Sequence, residues 1–312
     1  MASDTSTPRL PDFLILGAAK AGTTALYLYL SQHPGLFASP LRETNFFALE
    51  GTTPSFSGPG DDAAVNRRAV TRWEAYLKLF AGAKPGQRAG ECSPLYLYHP
   101  DAAARIAERL PEARLVVLLR NPAERAYASY LHLVRDGREP ASTFEEGLAR
   151  EAERIAAGWE HLWHYRAMGL YGEQLARYVD RFDPDRIKLI RYEDFCRDPG
   201  RAVSAVAAFL GLDAGFSPDL SRRPNRSGVP RMRGLYRLLA SPPLRRVARA
   251  IVPAGMRGKL GAAMDDALLV RPPMAPATRA ALLDGYREDA ARLTRCTGVD
   301  VSDWFSSPSE AS

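Results

Sequence analysis

Short, mainly apolar runs alternate with amphipathic stretches through the first two thirds of the chain. Short apolar runs are typical of strands that are buried on both faces of a parallel sheet. Apolar positions that recur every three or four residues predict helices. The pattern predicts strands at 12–17, 88–92, 114–120 and 186–192. It predicts helices at 23–32, 100–110, 123–135, 143–157, 169–182 and 199–210.

This alternation predicts an α/β fold, with a mostly parallel central sheet flanked by helices on both faces. Two stretches rich in Gly, Pro, Ser and Thr, 48–62 and 221–231, are typical of surface loops. Further helices are expected near 231–251 and 275–295. Because no clear linker interrupts the 312 residues, we expect a single domain over 1–312, with disordered polar tails at 1–10 and 306–312.

Positive charge is concentrated in one segment of the chain. The net charge is +6, yet residues 220–264 contain no acid and eleven Lys or Arg, which gives +11 there and leaves −5 for the rest. Such a basic loop and helical segment attracts polyanions, although solvated helix faces explain it equally well. Tyr236 is the only aromatic residue in it, and no nucleic-acid-binding module is recognisable, so we expect no nucleic-acid partner.

Targeting signals, membrane spans and cysteine motifs are missing from the sequence. The first twelve residues contain no apolar core of a signal peptide, and the apolar run at 115–119 is far shorter than a membrane span. We therefore expect a cytoplasmic protein without a transmembrane segment. Cys92, Cys196 and Cys296 are scattered and form no CxxC pair, so we expect reduced cysteines and no metal site.

The stretch GAAKAGTT at 17–24 joins the first predicted strand to the first predicted helix. The open backbone N–H groups and the dipole of a helix that begins there suit a phosphate, and Lys20 adds a full charge. A tight turn with a solvated lysine would use the same residues. The lysine precedes the second glycine, whereas a triphosphate loop needs G-x-x-x-x-G-K-[ST], and G-x-G-x-x-G is absent. The order therefore disfavours a kinase, an ATPase and a dinucleotide enzyme.

This K-x-G-T-T order resembles the 5′-phosphosulfate loop of the sulfotransferases that use 3′-phosphoadenosine 5′-phosphosulfate (PAPS) as donor. In that family a later strand runs into R-x-P-x-x-R-x-x-S, whose first arginine and serine hold the 3′-phosphate. The stretch RNPAERAYAS at 120–129 resembles this element. The resemblance implies a P-loop-like sheet and a set of donor-binding residues. These are Lys20, Ala21, Gly22, Thr23 and Thr24 at the phosphosulfate, Arg120 and Ser129 at the 3′-phosphate, and Arg226, Ser227 and Gly228 in a loop that closes over the donor.

Two further stretches resemble the heparan-sulfate and related carbohydrate sulfotransferases, most strongly the N-sulfotransferase type. RETNFFALE at 42–50 is similar to their K-E-x-x-F-F element, and GECSPLYLYHP at 90–100 to their G-E-K-S-P-x-Y element. The resemblance implies that Glu43 is the general base. Burial against Phe46 and Phe47 would raise its pKa, although a pair of phenylalanines is more often part of the core. His132 is the second candidate for the base, because histidine titrates near neutrality. The acceptor site would be lined by Arg42, Glu91 and Ser93.

The departures from that branch affect the expected acceptor. Arg42 stands where the branch has lysine, and Cys92 replaces a lysine near the reacting group, so that charge is missing. This favours a smaller acceptor and a soluble bacterial-type enzyme over a heparan-like polysaccharide.

The sequence thus predicts transfer of the sulfuryl group of PAPS to a hydroxyl or amine of a carbohydrate-containing or small-molecule acceptor. The product of the donor would be 3′-phosphoadenosine 5′-phosphate (PAP), Lys20 would stabilise the leaving phosphate, and no metal would be required. Two alternatives remain open: a catalytically silent, basic nucleotide-binding or interaction module, and a small-molecule kinase that needs magnesium.

Overall fold

A five-stranded parallel sheet forms the centre of the protein, as seen in a computed structural model that describes residues 9–221, 229–230 and 269–306. Its strand order is β2-β3-β1-β4-β5. The strands are β1 (Phe13–Gly17), β2 (Leu36–Ala38), β3 (Arg88–Cys92), β4 (Arg114–Leu119) and β5 (Ile187–Arg191). The predicted α/β class is confirmed, and the four predicted strands agree with the observed ones to within one residue at each end. The short edge strand β2 was not predicted.

Twelve α-helices surround this sheet in the described ranges. They are α1 (Thr23–Leu30), α2 (Phe46–Leu49), α3 (Trp73–Lys78), α4 (Leu95–Tyr98), α5 (Ala102–Arg109), α6 (Pro122–Arg135), α7 (Phe144–Ala149), α8 (Glu151–Ala156), α9 (Tyr171–Val179), α10 (Tyr192–Arg197), α11 (Pro199–Phe209) and α12 (Pro276–Thr297). The single helix predicted at 143–157 is wrong, because Arg150 (φ −90°, ψ 0°) leaves the helical conformation and separates α7 from α8.

Most of the predicted basic segment lies outside the described residues. The helix expected near 231–251 and most of the loop at 221–231 belong to this undescribed part. Of the basic segment only residues 220–221 and β6 (Val229–Pro230) are described, and β6 pairs antiparallel with β7 (Leu269–Val270), which follows the segment. Within the described ranges, no helix combines the length and the apolar character that crossing a membrane requires.

The two central strands form the core. All five residues of β1 are buried, as are the last five of β4. Ile15 of β1 pairs with Cys92 of β3 on one side and with Val116 of β4 on the other. Because both faces of these strands are buried, helices must pack against both faces of the sheet. The crossover from β1 to β2 runs in one direction along the sheet and the crossover from β4 to β5 in the other, so right-handed connections place their helices on opposite faces.

This change of direction also locates the functional edge of the sheet. In an open α/β sheet, ligands bind outside the carboxyl ends of the strands, where the strand order reverses. Here that point lies between β1 and β4. Lys20 follows β1 and Arg120 follows β4, so the fold brings the two predicted donor-binding elements to the same crevice.

Candidate active site

The turn after β1 is shaped to leave a helix N-terminus open. Gly17 (φ +152°) leaves no space for a side chain, since a Cβ there would lie 2.9 Å from the Cβ of Leu97. Gly22 (φ +89°) precedes α1 and offers no side-chain cap, so the first N–H groups of the helix remain available to an anion. Lys20 itself has a left-handed backbone (φ +66°), a conformation that is costly for a residue with a side chain.

Arg120 connects the turn after β4 to the turn after β1. Its Nη1 donates a hydrogen bond to the backbone carbonyl of Lys20 at 3.0 Å, and its guanidinium lies 4.6 Å from the ring centroid of Tyr192. The side chain is 5% exposed. Burial lowers the pKa of Arg120, although a guanidinium stays charged at any physiological pH. The structure therefore places a fixed cation beside the loop that carries the lysine.

Lys20 is half-buried among charged groups of both signs. Burial first, and then the charge of Arg135, lowers the pKa of Lys20 to about 8, while Glu43 and Asp136 oppose this shift. Glu43, Arg120 and Arg135 are therefore each near enough to Lys20 to influence it. A lysine held at this pKa is partly neutral above pH 8, and a bound anion would favour its charged form.

The N-terminus of α6, in contrast to that of α1, is already occupied by a side chain. The Oδ1 of Asn121 accepts hydrogen bonds from the N–H groups of Ala123 (3.1 Å) and Glu124 (3.3 Å). Asn121 also donates through its backbone N–H to Oε1 of Glu193 and through Nδ2 to the carbonyl of Trp304. Among the described residues, the Oε2 of Glu193 and the Nε1 of Trp304 are buried without a hydrogen-bond partner.

The structure does not bring Ser129 to this crevice. Ser129 is completely buried, and its hydroxyl donates to the carbonyl of Leu162 at 2.9 Å. The serine of the family motif comes eight residues after the arginine, and that position here is Ala128. Because each helical residue advances about 100°, Ser129 lies on a different face of α6. The assignment of the 3′-phosphate to Ser129 is therefore corrected, and the assignment to Arg120 stays a prediction.

The two threonines of the loop differ in accessibility. Thr23 is buried and its hydroxyl contacts the thiol of Cys92, whereas Thr24 is half-buried. Ala21 is completely buried and so contributes at most its backbone. The remaining predicted donor contacts, Arg226, Ser227 and Gly228, lie outside the described residues.

Glu43 is exposed and lies near Lys20, but Phe46 and Phe47 do not cover it. Both rings are completely buried in an aromatic cluster, where Phe46 stacks on Tyr76 with 4.5 Å between ring centroids. The expectation that they bury Glu43 is therefore wrong, because α2 directs them into the core. Arg42 is likewise exposed.

His132 lies beside Lys20, but its environment is unsuited to a general base. Its Nδ1 accepts a hydrogen bond from Nη2 of Arg135 at 2.8 Å, and its Nε2 lies 3.5 Å from Oδ2 of Asp136. Burial, followed by the charges of Lys20, Arg135 and Arg138, lowers the pKa of His132 to about 2. The expectation of an imidazole that titrates near neutrality is therefore wrong. Arg135 and Asp136 were not predicted, although Arg135 follows His132 by one helical turn, a spacing that places two residues on one face.

Glu91 and Ser93 do not line an open acceptor site, because both are completely buried. The Glu91 carboxylate accepts hydrogen bonds from Tyr96 (2.6 Å), Ser93 (2.7 Å), Thr44 (3.2 Å) and Tyr76 (3.3 Å). Burial raises the pKa of Glu91 to about 6, and these hydrogen bonds oppose the shift. Their predicted role in contacting substrate is therefore corrected to an internal one. The glutamate within the buried strand β3 was the signal in the sequence for such a network.

Comparison with known proteins identifies the family. The sulfotransferase family profile matches residues 11–218, more than half of the chain. A sulfotransferase structure from Alicyclobacillus acidocaldarius is 35% identical with a TM-score of 0.76, and the match covers 95% of this chain and 99% of that one.

Two curated human proteins match over shorter fractions of their length. Bifunctional heparan sulfate N-deacetylase/N-sulfotransferase 3 is 29% identical over 216 residues, which cover 65% of this chain and 22% of that protein. Heparan sulfate glucosamine 3-O-sulfotransferase 3A1 is 27% identical over 209 residues, which cover 67% of this chain and 46% of that protein. The chain thus spans less than half the length of either. Together with the family profile and the bacterial structure, these matches confirm the resemblance to the PAPS-dependent enzymes, and the chain belongs to the sulfotransferase family.

Proposed function

We propose that this enzyme moves the sulfuryl group of PAPS to a hydroxyl or amine of an acceptor by in-line displacement. The observation that carries the proposal is the junction of Lys20 with Arg120 next to the uncapped N-terminus of α1. It provides two cations and open backbone donors in one crevice. The donor is multiply anionic, with phosphate groups at both ends of one nucleoside.

The residues present suit this donor. Lys20, the backbone at Gly22 and the hydroxyl of Thr24 would hold its phosphosulfate, and the buried guanidinium of Arg120 would hold its 3′-phosphate. PAPS supplies an activated sulfuryl group with a phosphate as its leaving group.

Lys20 and Glu43 have different roles in the transfer step. In its charged form Lys20 stabilises the negative charge that grows on the leaving phosphate oxygen. Glu43 accepts the proton of the acceptor, because it is an accessible carboxylate near Lys20. His132 is less suited, since Arg135 already occupies its Nδ1. The mechanism requires no metal.

The acceptor class rests on the relatives and on Cys92. The curated relatives that act on heparan sulfate support a carbohydrate-containing acceptor. Cys92 is a buried thiol whose pKa is raised by burial, so it supplies no charge to a polyanionic chain. A smaller carbohydrate-containing or metabolite acceptor therefore fits better. A cytoplasmic location and a bacterial source stay predictions from the sequence.

The test is calorimetric titration with PAP, in the presence of a chelator, and with magnesium-ATP. Micromolar affinity for PAP without metal, weakened in Lys20→Ala and Arg120→Ala, is the expected result. Transfer from ³⁵S-labelled PAPS to a panel of desulfated oligosaccharides, amino sugars and phenols would then identify the acceptor. Preference for magnesium-ATP would instead indicate a kinase, and PAP binding without any sulfate release would indicate a silent nucleotide-binding module.

A further inference from the structure

Glu91 is a fully buried carboxylate for which no salt bridge occurs in the described part of the chain. Its partners are four hydroxyl groups, and with them it forms the Glu91 cluster (Thr44, Tyr76, Glu91, Ser93 and Tyr96). Burying a carboxylate without a cation is costly, and an apolar residue would fill the same space at lower cost. The cluster therefore indicates a requirement other than packing.

The cluster is tied to the turn that carries Glu43. Thr44, the next residue, donates to Glu91, and the N–H of Asn45 donates to the hydroxyl of Ser93 at 3.1 Å. The N–H of Glu43 donates to the carbonyl of Cys92 at 2.9 Å. Three consecutive residues, 43–45, are thus each fixed to the end of β3.

The backbone of this turn needs such support. Glu43 (φ +55°) and Asn45 (φ +53°) both have left-handed conformations. Such conformations are unfavourable for residues with a side chain, and they persist where the surrounding structure over-determines them. Thr44 lies between Glu43 and Asn45, and the Glu91 carboxylate accepts a hydrogen bond from the Thr44 hydroxyl.

We infer that Glu91 is the positioning residue of this active site, which acts through Thr44 to hold the 43–45 turn and so to aim the Glu43 carboxylate at the reaction crevice. The inference rests on the proposed function, in which Glu43 accepts the proton of the acceptor. Glu91 itself contacts neither substrate.

Four variants distinguish an effect on the position of the 43–45 turn from an effect on the stability of the whole protein. Glu91→Gln keeps the volume but presents an amide NH₂ to hydroxyls that need an acceptor. Thr44→Val removes the connecting hydroxyl, whereas Thr44→Ser keeps it and should restore function. Tyr286→Phe is the matched control, since it removes another buried hydroxyl, which donates to the carbonyl of Arg166 at 3.0 Å.

Three measurements test the inference in the full chain without an identified acceptor. Amide hydrogen exchange reports on the N–H groups of residues 43–46. Release of inorganic sulfate from PAPS, with water as the acceptor, reports on turnover, and PAP affinity by calorimetry reports on the donor site. For Glu91→Gln and Thr44→Val we expect faster exchange confined to this turn and a loss of sulfate release on the order of 10-fold to 100-fold. PAP affinity and the KM for PAPS should be unchanged.

The possible outcomes test the inference about Glu91 separately from the proposed function. Thr44→Ser and Tyr286→Phe with near wild-type turnover, next to the two impaired variants, would support the inference. Unchanged exchange at 43–46, or faster exchange with full turnover, would overturn it while leaving the donor site intact. A wild-type protein that neither binds PAP nor releases sulfate would refute the proposed function itself, and with it the role of Glu91.

Discussion

The guanidinium of Arg120 donates a hydrogen bond to the backbone carbonyl of Lys20 across a sequence distance of 100 residues. This bond joins the turns after the two neighbouring central strands. It uses the carbonyl of Lys20, so the ammonium of that side chain stays available to a ligand. The 3.0 Å contact also fixes the arginine next to the lysine, which would preorganise the anion site that we propose for the pair.

Arg120→Ala should remove the preference for a 3′-phosphate. Because a bidentate guanidinium–phosphate contact is worth about 1.5–3 kcal/mol, PAP affinity should fall roughly 10-fold to 100-fold. Affinity for adenosine 5′-phosphate, which lacks the 3′-phosphate, should change much less. Calorimetry with both nucleotides measures the difference. Arg114→Ala is the control, since Arg114 begins the same strand at the opposite end of the sheet. Equal losses for both nucleotides would contradict the assignment.

Ser129→Ala should lower stability and leave PAP affinity unchanged. The variant removes the hydrogen bond to the carbonyl of Leu162, which contributes about 0.5–1.5 kcal/mol to the free energy of unfolding. Denaturant unfolding measures the first effect and calorimetry with PAP the second. A PAP affinity reduced tenfold in a stably folded variant would return Ser129 to the donor site.

PAP affinity should weaken as the pH rises above 8. The pKa of Lys20 in the free protein is lowered to about 8, so the fraction of charged ammonium falls through this range. The phosphates of PAP are ionised throughout pH 7 to 9.5, since their second pKa is about 6, and so do not obscure the effect. Titrations at half-unit intervals measure it. Lys20→Arg stays charged and should give a flat profile. The same decline of PAP affinity with pH in the wild type and in Lys20→Arg would show that Lys20 is not its cause.

The same shift has a consequence for stability. Lys20 has a folded pKa of about 8 against about 10.4 in the unfolded chain, so between these values the unfolded state binds more protons. The contribution of Lys20 to the free energy of unfolding therefore rises with pH through this window. Lys20→Met should abolish that rise and be more stable than the wild type at pH 7, as measured by denaturant unfolding. A parallel pH dependence in both proteins would contradict this account.

The sequence predicted the sheet and the positions of the turns after β1 and β4 better than the surroundings of the candidate reacting groups. The apolar runs of β1 and β4 specify buried strands, and the order of Lys20 and Gly22 separates this loop from a triphosphate loop. Local patterns do not report which side chains meet across the fold. The burial of Glu91 against Thr44 and Tyr76, and the charge of Lys20 that helps to lower the pKa of His132, depend on packing between elements distant in the chain. The sequence did contain the signal for Ser129, because this serine lies one residue beyond the motif position, and one residue changes the face of α6.

Glu43→Gln should strongly reduce the rate of sulfuryl transfer. His132→Gln should leave the pH dependence of that rate almost unchanged. Removing a general base costs about 100-fold to 10,000-fold in rate, and the amide keeps the size of Glu43, so PAP affinity should be retained. His132 is neutral at every pH above about 4, because its pKa is lowered to about 2, and it therefore adds no step to the rate profile between pH 5 and 9. The measurement is sulfate release from PAPS across that range for both variants. An acidic limb that persists in Glu43→Gln and disappears in His132→Gln would reverse the assignment and make the histidine the base.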